Sequence, residues 1–184
     1  LDVGFSFKEL RMAGVTLKTL QDAGFGVTQL KDAGFSLDEL YSAGFKNMLE
    51  LREAGFSLIE LRVAGFSAEE FQIAGHNRHE LKDAGFSVTQ LTTAGFSLKE
   101  LVDVGFSTKE LRMAGVPLKK LQDVGFGVTQ LKDAGFSLKE LSDAGFKNMQ
   151  QLREVGFSMR ELMVAGFSIE QFQDAGFNRQ ELKD

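Results

Sequence analysis

Gly4-Phe5-Ser6-Phe7-Lys8-Glu9-Leu10-Arg11-Met12-Ala13, closed by Gly14 and Val15, is the stretch on which the reading of this chain turns. Ser6 and Glu9 have the Ser-x-x-Glu spacing of a capping box, in which each side chain satisfies a backbone N–H left unpaired at a helix start. Gly14 stands where a left-handed residue ends a helix, and Val15 stands where a Schellman motif places an apolar contact with Leu10. The spacing therefore predicts a helix of about six residues after Ser6. Phe5, just before the cap, and Leu10, at the fourth helical position, have the spacing of a hydrophobic staple. In most units a Phe fills both the closing site of one helix and the staple site of the next, so one ring joins two helices.

The same unit runs through the chain 18 times, which makes this a tandem-repeat protein. Of the 18 cap positions, ten are Ser, four Asn, two Gly, one Thr and one Pro117, so all but the last favour a helix start. Three residues later, 16 of 18 positions hold Glu or Gln, the partner the box requires. Two units are one residue longer, with Lys46 and Lys147 inserted, and Asn47 with Glu50 and Asn148 with Gln151 are expected to restore the box one place on. Helices this short are unstable alone, since isolated helices become marginal only near 12–15 residues. Stacking of neighbours must hold them. The expected fold is an all-α solenoid of about 18 very short helices, with two or three per coil and two preferred. In plan it resembles the TPR and HEAT class of stacked-helix proteins, although the repeat is much shorter and carries none of their signatures. A pentapeptide β-helix would leave the capping box and the terminal glycine without a role.

Within a unit, Leu37, Leu40 and Ala43 fall on one stripe that the Phe extends, and this is the expected core. Phe35→Ala is accordingly expected to cost about 3–5 kcal/mol. Lys8, Arg11, Lys31, Asp32 and Lys139 are expected in solvent, with Lys31→Ala nearly silent. Residues 1–184 read as one continuous array cut from a longer protein, because contacts between neighbours alone create no internal boundary. Residues 2–83 recur at 103–184 with an offset of 101, so a block of ten helices has been duplicated and its second copy is truncated. The copies differ mostly at exposed or first-turn positions: Asp38 against Lys139, Tyr41 against Ser142, Ile59 against Arg160, Ile73 against Asp174.

Composition narrows function by exclusion. A net charge of −5, with both signs interspersed, offers no basic stripe for phosphates and argues against nucleic-acid partners. No apolar run approaches the roughly 20 residues that span a bilayer. The absence of cysteine removes disulfides and thiolate metal sites but leaves the compartment open. His76 and His79 lack the carboxylate set of a metal site, and the second copy has Phe177 and Gln180 in their place. His76 is expected to fill a staple site and His79 to be solvated. Gly24-Phe25-Gly26 lacks the third glycine and preceding strand of a phosphate loop, and one acidic residue per turn does not make a calcium loop.

No cofactor, no metal and no enzymatic activity is therefore expected. The leading reading is a scaffold for protein or peptide contacts, with self-association allowed. The alternative is a structural spacer or cell-surface stalk, and an anion- or calcium-binding array is a distant third. One surface pattern suggests where contacts occur: Met12, Val63, Met113 and Val164 replace the usual polar residue at the last helical position, at intervals of 51, 50 and 51, and form a candidate ridge.

Overall fold

The computed structural model describes residues 4–176. The capping logic operates almost unit by unit. Ser36 Oγ accepts from the Glu39 N–H at 3.2 Å while the Glu39 carboxylate accepts from the Ser36 N–H at 2.7 Å, and the helix Leu37–Ser42 begins there. Helix ends are equally regular: after the first helix, Gly14 N–H donates to the Arg11 carbonyl at 2.9 Å and Val15 N–H to the Leu10 carbonyl at 3.1 Å, both bonds of a Schellman motif. Gly14 has φ of 85°, a conformation that a side chain would strain.

Repetition of this unit gives seventeen six-residue helices among the described residues and no strand. Packing divides the chain into two compact units, Leu1–Phe96 and Ser97–Asp184. The first holds α1 (Phe7–Met12), α2 (Leu17–Asp22), α3 (Val27–Asp32), α4 (Leu37–Ser42), α5 (Met48–Glu53), α6 (Leu58–Val63), α7 (Ala68–Ile73), α8 (Arg78–Asp83) and α9 (Val88–Thr93). The second holds α10 (Leu98–Asp103), α11 (Thr108–Met113), α12 (Leu118–Asp123), α13 (Val128–Asp133), α14 (Leu138–Asp143), α15 (Met149–Glu154), α16 (Met159–Val164) and α17 (Ile169–Asp174). The expectation that the eighteenth unit continues the array lies outside the described residues.

Within each unit a helix packs on the next but one. In the first, α1 lies on α3 and α3 on α5; in the second, α11 lies on α13. Two helices therefore complete each coil, and each unit is a solenoid with an odd-numbered and an even-numbered run. The Leu at the fourth helical position forms the core seam: Leu40, Leu61, Leu91, Leu111 and Leu141 are fully buried, and Phe71 and Phe172 serve where the Leu is replaced. Phe35 and Leu37 are buried beside them, and Ala43 is half-buried. Burial is supplied by neighbours, since Leu10 of α1 is only half-buried although its local sequence is the same.

Six described starts depart from the rule, among them Thr16, whose partner position holds Thr19, and Pro117, which has no side-chain acceptor. Gly26 and Gly127 have no side chain to accept a bond, so only the return half forms, with Gln29 and Gln130 accepting from the cap N–H at 3.0 Å. In the two longer units the expected reciprocal box is not made. Asn47 accepts from the Leu49 and Glu50 N–H groups, but the Glu50 carboxylate accepts from the Asn47 side-chain amide at 2.8 Å rather than from its backbone. The Asn47 cap has ψ of 105°, against 161° at Ser36, so the chain enters the helix on a different path after the inserted lysine.

Candidate functional site

The fifth helical position carries the contacts that set the stacking, and here two sequence expectations are corrected. Arg11 and Lys31 are half-buried and engaged across the stack rather than free in solvent. The Arg11 guanidinium lies 4.3 Å from the centre of the Phe35 ring and bonds Glu39 of α4 at 3.1 Å. Lys31 donates to the Ala54 carbonyl at the end of α5 at 2.7 Å, with its ammonium 4.3 Å from the Phe56 ring centre. Arg62 repeats the contact in the even run, donating to the Ala84 carbonyl at 2.6 Å. In the second unit Arg112 reaches the Ala134 carbonyl and the Phe136 ring, and Lys132 the Val155 carbonyl and the Phe157 ring.

Lys31, Arg62, Arg112 and Lys132 each join helix n to the C-terminal end of helix n+2, where unpaired carbonyls concentrate negative charge, whereas Arg11 meets the Phe35 ring and the Glu39 carboxylate. The glycine of the joint is needed again here, because a Cβ on Gly55 would stand 3.2 Å from Lys31 Nζ. The signal in the sequence is the recurrence of Arg or Lys at the residue after the core Leu, which local helix rules place on the solvent side. Tyr41 takes the same role with its ring edge-on to Phe66 at 4.9 Å.

Capping also sets the local electrostatics. Donation from the cap backbone holds the Glu9, Glu39 and Glu60 carboxyls below their ordinary value, and donation from the cap hydroxyl does the same for Glu140 and Glu161. These carboxylates serve as acceptors at the helix starts. His76 packs its ring 5.5 Å from that of Phe71, beside Glu80 and Arg52, while His79 is exposed. Among the described residues no group of three or more His, Asp or Glu side chains converges as a metal site, and no helix is long and apolar enough to cross a membrane.

The candidate ridge residues are all open to solvent: Met12 is 79%, Val63 69%, Met113 80% and Val164 83% exposed. Their interval of five helices is odd, however, so Met12 on α1 and Val63 on α6 stand in different runs of the first unit. They present separate apolar points rather than adjacent ones. Val164 is joined to a concave surface, a cleft of about 560 Å³ between α14 and α16 floored by Phe136, Leu138 and Phe157. A smaller cleft of about 280 Å³ in the first unit sets Leu49 beside Ile73. Sequence reading singled out neither cleft, because both lie between helices two apart.

The decapeptide repeat region family matches residues 1–48, 46–118 and 115–184, which together cover the chain. The chain belongs to that family. No curated protein and no solved structure matches it. For this decapeptide-repeat protein the family and the fold agree on a helical repeat scaffold.

Proposed function

We propose that this chain is a non-enzymatic scaffold for protein or peptide contacts. The observation that carries the reading is the exposure of Met12, Val63, Met113 and Val164 on helices whose cores and caps are otherwise uniform. Repeated joints hold the frame, and the open last helical position is free to present contact residues. Among the described residues no group of three or more His, Asp or Glu side chains forms a competing metal site. The test is capture of partners on the immobilised chain, compared with a chain carrying Met12→Asp, Val63→Asp, Met113→Asp and Val164→Asp. Partners held by the native chain and lost from the variant support the scaffold with these contacts. Partners held equally by both remove the four residues from the surface.

Packing confined to neighbours favours one further reading, a spacer or stalk whose role is length. A spacer extends under force in small repeated steps and captures nothing selectively, so single-molecule extension together with the capture assay separates the two.

A further inference from the structure

Resting on the scaffold reading, we propose that the cleft between α14 and α16 docks an acidic segment of a partner protein, an apolar side chain of the segment entering the cleft and its carboxylates meeting Arg160 and Lys139. The volume of about 560 Å³ suits one or two side chains of a peptide. Phe136, Leu138 and Phe157 form an apolar floor, each under a tenth exposed, and Val164 stands 83% exposed beside it.

The charges of the wall favour an anion, against the net −5 of the chain. Lys132, Lys139 and Arg160 line it with a single carboxylate, Glu161. Glu161 is already engaged, accepting from the Ser158 N–H at 2.8 Å and the Ser158 hydroxyl at 2.6 Å. Lys132 is held on the Val155 carbonyl. Arg160 is exposed with no carboxylate partner among the described residues, and Lys139 has only a solvent-exposed pair with Asp143 at 2.9 Å, which exchanges readily. Two available cations flanking an apolar floor fit carboxylates spaced around an apolar side chain. They are too few to track a nucleic-acid backbone.

The duplication supplies the control. The first copy has Asp38 where the second has Lys139 and Ile59 where it has Arg160, within the same capped and stacked frame. The charge preference is therefore a property of the second copy alone.

The experiment uses the full chain and a fluorescein-labelled peptide, Glu-Asp-Leu-Phe-Glu-Asp-Glu, followed by fluorescence anisotropy. The native chain binds one peptide, and Lys139→Asp with Arg160→Ile weakens binding about tenfold or more. These substitutions install residues that the first copy already accommodates, and circular dichroism of the variant checks its fold. A peptide with Ser in place of Leu and Phe binds more weakly, because the floor is lost to it. Absence of binding, equal binding by native and double variant, or equal binding of the Ser peptide overturns the site. Concentration-dependent dimerisation abolished by the double variant would seat a second copy of this chain in the cleft and overturn the peptide assignment. Each of these failures leaves the scaffold reading to its own capture assay.

Discussion

The α4–α6 region of the first unit and the α14–α16 region of the second are the same construction with different ties. Ser36 and Ser137 form the same box, Leu40 and Leu141 are equally buried, and Phe56 and Phe157 close equivalent joints. In the first, Tyr41 reaches forward to Phe66; in the second, Ser142 is too short to reach Phe167. Phe66 is 2% exposed and Phe167 8%. The odd-numbered runs do not diverge in this way, since Arg11 lies 4.3 Å from the Phe35 ring and Arg112 lies 4.4 Å from the Phe136 ring. Between these two regions the Ser caps and the buried Leu and Phe of the joints are kept, while the second lacks the aromatic tie and differs in surface charge.

The largest expected effect tests what the two units share. Phe35→Ala and Phe136→Ala should each cost about 3–5 kcal/mol, measured by hydrogen-exchange protection of the flanking helices. A marked inequality would break the equivalence of the units. Lys31→Ala and Lys132→Ala should each cost about 1–2 kcal/mol, through loss of a charged bond to a helix-end carbonyl and of contact with a Phe face. No effect in the same measurement would return these lysines to the solvent. Where the units differ, Tyr41→Ser should loosen α6 by about 1 kcal/mol and Ser142→Tyr should tighten α16 by a similar amount.

The smallest effect is acid sensitivity. Because the folded carboxyls of Glu9, Glu39, Glu60, Glu140 and Glu161 lie below the ordinary value of 4.5, their contribution is fully present above that value and is lost as pH falls through the lower folded values. Helicity by circular dichroism should therefore begin to fall in that acid range. Glu39→Gln, which keeps an acceptor oxygen, should blunt the response in the first unit only. A response unchanged by that substitution would detach it from the boxes.

Much of the local structure was legible because its causes lie within a few residues. Ser36 and Glu39 are three apart, and Gly14 closes a motif whose partners, Arg11 and Leu10, are three and four residues back. The longer units show where that reading stopped: Asn47 was identified as a cap, but Glu50 bonds its side-chain amide rather than its backbone, on the different path that the chain takes after Lys46. Arg11 and Lys31 were misplaced for a related reason. A helical wheel assigns them to the outside of their own helix, and only the arrival of another helix two units later gives them a ring and a carbonyl.

The sequence by itself determined where each helix starts and stops and which residues form the seam, since capping, glycine geometry and periodicity act over one turn of chain. The tertiary structure alone decided that helices pack next but one, that the ridge residues of the first unit fall in different runs, and that clefts open between α5 and α7 and between α14 and α16. Those outcomes depend on which surfaces meet after some 20 residues of chain, and there the reach of a side chain, rather than the propensity of its own helix, selects the partner.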